Sequence, residues 1–390
     1  MQSRQTTYVL LALLFGLCTG VLLNVCTLPE SSVRLFLVDA ILEPTGRVFV
    51  ASLKMLVVPL VFTSLVCGVV GLEGVHKLGR MGLKTLVLYL LTTALGLTLA
   101  IGMAVVFQPG IGFDLPSVLS YQPRPSPSLM EVLVGMVPSN PVQAAAEGKM
   151  LQIIVFALLF GLGVLQIKAK VPVIVRFLEE LNDVMMGMVS MLLRLAPVGV
   201  YALIAQVFAD KGVQAFAPLL RYFLLVLFVL AIHAVTVYPM LLKLAGLDPW
   251  AFLRKAKSVA FFALSTASSS ATIPVTLQTL DKSFGVPRSI ASFTIPLGAT
   301  INMDGTAIMQ GVATLFIAQT YQISLGFTEY LTVIFTATLA SVGAAGVPGV
   351  GLVTLAMVLR QVGLPVEGIA MILGVDRALD MVRTAVNVAG

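Results

Sequence analysis

The chain has 390 residues, of which 58% are hydrophobic and 11% charged, with a mean hydropathy of +1.02. A soluble domain carries about 25% charged residues, so this composition excludes one and describes a polytopic membrane protein. The formal charge of +6 is modest and gives a nucleic-acid partner no support, while Cys18, Cys26 and Cys67 lie in or beside apolar runs without metal-ligand spacing and read as packing residues.

The first apolar run, Tyr8 to Cys26, follows Arg4 and imitates a secretory signal. It is about 19 residues long and lacks a small-x-small cleavage site, so it reads as the first transmembrane helix. Further apolar stretches follow at 47–72, 83–107, 150–167, 181–208 and 219–242. Their length suits helices rather than the short alternating strands of an outer-membrane barrel. Basic residues concentrate in the segments at 73–84 (His76, Lys77, Arg80, Lys84), 168–176 (Lys168, Lys170, Arg176) and 243–257 (Lys243, Arg254, Lys255, Lys257). They alternate with the poorer segments 27–46, 108–149 and 209–221, which predicts a cytoplasmic N-terminus. The longest connection, Gln108 to Glu147, contains PRPSPS at 123–128 and predicts an extracytoplasmic excursion with a short helix near 129–136.

After residue 250 the apolar segments are interrupted by small polar clusters: ALSTASSSATIPV at 263–275, GATINMDGT at 298–306 and ASVGAAGVPGVG at 340–351. The halves of the first and last are too short to span alone, which predicts two re-entrant helical hairpins with a broken helix between them. Small-residue packing is the other reading of each cluster, but three in succession point to tips converging on a site. Within the broken helix, Asn302, Asp304 and Thr306 stand in an otherwise apolar run. A carboxylate at bilayer depth costs about 2.5–3.5 kcal/mol on insertion scales, so Asp304 requires a partner or a function.

The last segment, Gly368 to Gly390, sets Asp376, Asp380, Arg383, Thr384 and Asn387 on one helical stripe. Two readings are open. The charges neutralise one another and let a polar helix stay inserted, or Arg383 offers a fork for a carboxylate while Asp380 meets an ammonium, together a receptor for an acidic amino acid. Arg377 lies about 100° around the helix from Asp376.

NMDGT at 302–306, SSSATIP at 268–274, SVGAAGVPG at 341–349 and DRALDMVRTAVNVAG at 376–390, with Tyr89, Thr92, Thr93 and VPSNP at 137–141, resemble the dicarboxylate/amino acid:cation symporter family. That family includes the excitatory amino acid transporters and their prokaryotic relatives. The resemblance implies an all-α membrane protein of about eight transmembrane helices, two re-entrant hairpins, a broken seventh helix and inverted repeats. Residues 1–80 would form scaffold helices 1 and 2, 81–107 helix 3 of a transport domain, 108–218 a loop with scaffold helices 4 and 5, and 219–390 the transport core. It further implies a homotrimer in the prokaryotic inner membrane, working as an elevator.

The same resemblance implies a site. The substrate, L-aspartate or L-glutamate, would meet Arg383 and Asp380, with Thr384, Asn387, Thr306, Ser268, Ser269, Val347 and Gly351 holding the rest. One Na⁺ would sit among Tyr89, Thr92, Thr93, Asn302 and Asp304. A second would lie between carbonyls of Thr300 and Met303 and those of Ser341, Val342 and Ala344. A third would use Gly298, Asn302 and Asn387. No organic cofactor is implied, and the donors are all oxygen, as a hard cation favours. The sequence departs from the family pattern in three places. The aspartate usual after NVxG is not included in a sequence ending at Gly390, which implies a truncated chain or a weakened third sodium site. Ala267 replaces an arginine found in some prokaryotic members, where Arg377 offers an equivalent charge. Gln310 replaces the proton-carrying glutamate of animal members and cannot titrate. Rival readings are a proton-coupled glutamate or C4-dicarboxylate symporter, a channel, and, remotely, an intramembrane aspartyl protease built on two of Asp304, Asp376 and Asp380.

Overall fold

A computed structural model describes residues 2–28, 31–71, 80–112, 134–341 and 349–390. Among them every regular element is a helix. The first is α1, Gln2–Cys26. The segment 27–46, read from sequence as a loop, is instead largely helical: Ser32–Arg34 and a π-helical Leu35–Leu42 run directly into α2, Glu43–Val70. Arg34, Asp39 and Glu43 break the apolar run there, so the helix is amphipathic and an unbroken-hydropathy criterion passes over it.

Helix α3 is Arg80–Phe107. The short helix expected near 129–136 falls mostly outside the described residues, but a helix not anticipated, α4, forms at Pro141–Glu147. Its signals are local: Asn140 accepts from the amides of Val142 and Gln143, Pro141 occupies the first turn, and Gly148 ends it in a left-handed conformation. After α5, Met150–Gln166, comes α6, Pro172–Lys211, which starts well before the apolar stretch at 181. Its first turns carry Arg176, Glu179, Glu180 and Asp183 and are helical although not apolar. The halves Pro172–Leu192 and Arg194–Asp210 meet at 47°. Pro197 accounts for the bend, because it lacks the amide that would reach residue 193 and its ring crowds that carbonyl.

Helix α7 is Phe216–Leu244, followed by the antiparallel pair α8, Pro249–Thr266, and α9, Ser269–Thr279. Next come α10, Arg288–Ile301, and α11, Asp304–Thr320, then α12, Phe327–Ser341, α13, Val350–Gln361, and α14, Ile369–Ala389. Among the described residues, Lys84–Phe107 and Gly212–Leu244 are long and apolar enough to cross a membrane, and the bent halves of α6 qualify as one broken span.

Packing sorts the helices. α1 and α2 lie on α6, with α5 against α2; α11 packs on α3, α7, α13 and α14, and α8 on α9 and α14. Close approach of α1 to α6 depends on Gly16 and Gly20, where a methyl group would press on the backbone of Tyr201 and Ala205. Every residue of α11 except Gln319 is buried, so this helix is the centre of the molecule and brings Asp304 to it.

Candidate functional site

The chain leaves helical geometry at Asn302 (φ −85°, ψ 91°) and Met303 (φ −119°, ψ 44°), separating α10 from α11. A helix starting there exposes amides that need acceptors. Met303 offers no side-chain cap. Asn387 of α14 supplies it instead: its Oδ1 accepts from the amides of Gly305 (2.7 Å) and Thr306 (3.3 Å). The Asn387 Nδ2 donates to Thr306 Oγ1 (3.2 Å) and approaches Met303 Sδ (3.3 Å), and its carbonyl accepts from Asn302 Nδ2 (3.1 Å). Gly305 is required at this junction, because a Cβ there would collide with the backbone of Arg383.

Asp304 is fully buried. Its Oδ1 lies 2.6 Å from Thr93 Oγ1 and 3.2 Å from Thr92 Oγ1. Thr92 Oγ1 is also 3.4 Å from Asn302 Oδ1, and both threonines contact the Tyr89 carbonyl, at 3.0 and 2.8 Å. Five oxygen–oxygen contacts here share two hydroxyl protons. A proton-poor cluster of carboxylate, amide, hydroxyl and carbonyl oxygens fits a hard monovalent cation, the donor set expected from Tyr89, Thr92, Thr93, Asn302 and Asp304. The Tyr89 hydroxyl itself points elsewhere, to the carbonyl of Thr294 (3.2 Å), and lies over Gly298. Among the described residues no group of three His, Cys, Asp or Glu side chains is placed so as to hold a metal ion.

The other oxygen of Asp304 was not anticipated to have partners, yet Tyr238 donates to Oδ2 (2.9 Å) and His233 Nε2 lies 3.3 Å from it. Both come from α7. The available signal was one histidine, of two in the chain, set within an apolar helix.

One turn before Asn387, α14 carries the charged cluster. Arg383 is 1% exposed, and its fork is occupied: Nη1 and Nη2 bind Asp376 (2.8 and 3.3 Å), while Nε and Nη2 bind Asp380 Oδ1 (2.9 and 2.8 Å). Of the two readings left open by the sequence, this structure shows the charges neutralising one another, with Arg383 held by Asp376 and Asp380. A buried guanidinium is costly unless paired, and two carboxylates on its own helix pair it here. Asp380 Oδ2 accepts from the Gly349 amide (3.1 Å) and from Arg377 (3.4 Å), which places Arg377 at the cluster's edge. Gly351 packs on the guanidinium, where a methyl would stand 3.0 Å from Cζ. Gln310 reaches the same place, donating to Thr354 Oγ1 (2.6 Å) and the Gly351 carbonyl (3.4 Å).

The remaining expected residues divide. Ser268 caps α9 through Ala271, following Ala267 in a left-handed conformation (φ 48°), so its hydroxyl is committed to the turn; Ser269 is buried beside it. Ser269, Gly298, Asn302 and Asn387 line one cavity of about 200 Å³ between α9, α10 and α14. The hydroxyls of Thr384, Thr300 and Ser341 bond back to their own helices, at the carbonyls of Asp380, Leu297 and Thr338. Val342, Ala344 and Val347 lie outside the described residues.

Comparison with known proteins follows this architecture through the whole chain. Residues 6–390 match the sodium:dicarboxylate symporter family. The proton/glutamate-aspartate symporter of Escherichia coli (strain K12) is 38% identical over 97% of this chain and 89% of its own length. The proton/sodium-glutamate symport protein of Bacillus caldotenax is 36% identical over 90% and 86%. The neutral amino acid transporter B(0) of Oryctolagus cuniculus is 36% identical over 88% of this chain and 71% of that protein. Because the match runs through every element that builds the two clusters, the chain belongs to the sodium:dicarboxylate symporter family, a family of membrane transporters.

Proposed function

We propose that the protein is a secondary active symporter that takes up aspartate or glutamate together with sodium. The observation that carries this reading is the juxtaposition of a proton-poor oxygen cluster around Asp304 with a buried, doubly paired Arg383, joined through Asn387. An acidic side chain entering the site exchanges for one aspartate on the Arg383 fork. Like bonds replace like, so the guanidinium is never bare. Asp380 then meets the ammonium, which a plain C4 dicarboxylate lacks. Thr306, Thr384, Asn387 and Ser269 complete the pocket, with backbone groups of Ser268, Val347 and Gly351. Sodium is read by Tyr89, Thr92, Thr93, Asn302 and Asp304, a second ion by backbone carbonyls at Thr300, Met303, Ser341, Val342 and Ala344, and a third by those at Gly298, Asn302 and Asn387.

Asn387 bonds to Asn302 of the oxygen cluster and follows Arg383 by one turn on α14, so filling one cluster alters the other. By linkage, the factor by which sodium raises substrate affinity is the factor by which substrate raises sodium affinity. Residues 81–107 and 219–390 form the moving transport unit against a scaffold from 1–80 and 108–218, assembled as a homotrimer in the inner membrane with a cytoplasmic N-terminus. The names of these bacterial relatives support an acidic amino acid as substrate; one names the proton as driving ion and the other names proton and sodium together. Proton coupling is the second reading. A protease dyad is disfavoured by Arg383 standing between Asp376 and Asp380.

The test is uptake of radiolabelled aspartate into proteoliposomes with a sodium or a proton gradient imposed separately. Accumulation under the sodium gradient alone is expected. Accumulation under the proton gradient alone would transfer the assignment to the second reading, and none under either would refute symport of this substrate.

A further inference from the structure

The Asp304 carboxylate is asymmetric. Its Oδ1 faces Thr92, Thr93 and Asn302, where oxygens outnumber protons, whereas its Oδ2 faces two potential donors from α7, the Tyr238 hydroxyl at 2.9 Å and His233 Nε2 at 3.3 Å. All of these groups are buried, and His233 is 0% exposed. The imidazole and phenol rings are locked edge to face, with centroids 4.9 Å apart and planes at 81°. On its far side the imidazole meets Gly96 of α3, where a methyl group would stand 3.1 Å from Cε1 and 3.3 Å from Nδ1. His233 Nδ1 has no hydrogen-bond partner. With Nδ1 unpartnered, the imidazole's one polar contact is through Nε2, which donates to Asp304 Oδ2.

We infer that His233 and Tyr238 are positioning residues for the cation: they hold Asp304 Oδ2 so that Oδ1 alone is presented to the ion. A carboxylate rotating freely about χ2 would offer either oxygen and would have to be ordered when the ion arrives. With one oxygen fixed by α7, that ordering is complete beforehand, and the affinity of the ion rises accordingly. Tyr238 also lies 3.2 Å from the carbonyl of Val386, next to Asn387, so the same clamp holds α14 in register with the ion cluster. The inference rests on the sodium reading of the Asp304 cluster and names the residues that set its strength.

The test titrates sodium against purified protein without substrate, reading the shift in melting midpoint, and then reads sodium-dependent aspartate uptake at saturating aspartate. A hydrogen bond to a charged group is worth about 1.5–3 kcal/mol, so His233→Leu and Tyr238→Phe are each expected to raise the half-saturating sodium concentration by about tenfold or more. His233→Gln, which replaces the Nε2–H with an amide donor, is expected to remain within about threefold of the native value. Uptake at saturating sodium is reduced far less than uptake at low sodium. A merely structural role would lower the melting midpoint without moving the sodium dependence, and that result overturns the inference. So does a His233→Gln protein as impaired as His233→Leu. If His233→Leu does not yield folded protein, Tyr238→Phe and His233→Gln decide between these outcomes. Failure of the underlying sodium reading is separately visible, because the unsubstituted protein would then show no sodium-dependent shift.

Discussion

Asn387→Ala tests the device that holds the broken helix together. The substitution removes the acceptor for the Gly305 and Thr306 amides at the start of α11, in a region where Gly305 and Thr306 are both buried. Loss of a helix cap costs about 1 kcal/mol, and a buried amide left without any partner costs about 1–3 kcal/mol. The short bond to Gly305 carries most of this and the 3.3 Å bond to Thr306 less, giving about 2–4 kcal/mol in all. With an unfolding entropy of about 2.1 cal/mol/K per residue, a chain of this length loses about 2.5–5 °C of melting midpoint. The assay is the loss of the monodisperse size-exclusion peak after heating detergent-solubilised protein, compared with the unsubstituted chain. A midpoint within about 1 °C would refute the reasoning, because it would mean that water or another side chain caps α11 equally well.

Four further substitutions probe the charged cluster and the oxygen cluster around Asp304. Gly351→Ala places a methyl against the Arg383 guanidinium and is expected to abolish most aspartate uptake, whereas Gly163→Ala, with open space around it, leaves uptake unchanged; equal uptake by both would sink the steric argument. Arg383→Lys keeps the charge but cannot bridge Asp376 and Asp380 together, so proteoliposome uptake should fall at least about a hundredfold while the chain remains in the membrane. Thr93→Val deletes the 2.6 Å hydroxyl contact to Asp304 with little change of shape. It should raise the sodium concentration needed for half-maximal uptake by about tenfold, and an unshifted sodium curve would remove Thr93 from the cation cluster.

The sequence made the helical core visible because apolar length and small-residue interruptions are properties of the chain itself. The turn between α8 and α9 falls at Ala267 and Ser268, inside the serine cluster, and the break between α10 and α11 falls at Asn302 and Met303, inside NMDGT. The amphipathic helix before α2 and the short α4 were illegible to hydropathy, since one mixes charges with apolar residues and the other owes its existence to Asn140, Pro141 and Gly148. Within the site, Asp380 and Arg383 are three residues apart, within the ordinary reach of a helical pair. Asp376 is two turns away from Arg383, on the same face but beyond the reach usually assumed, and only the length of the arginine side chain brings them together. His233 and Tyr238 could not be assigned from sequence at all. A lone histidine and one of two tyrosines in an apolar helix acquire meaning only when α7 is laid against α11.

The cap on α11 has a temporal side. Asn387 is encoded 82 residues after the Gly305 amide that it satisfies, so during synthesis the broken helix is made long before its acceptor exists. At about 5–20 residues per second, roughly 4–16 s separate the two. Through that interval α11 lacks the cap that Asn387 supplies, and the oxygen cluster around Asp304 has no tie to α14. A nascent chain lacking α14 therefore holds neither the arginine nor the bridge, and cannot couple one flux to another. A helix synthesised after all the elements it ties together is the one that turns a set of packed helices into a coupled machine.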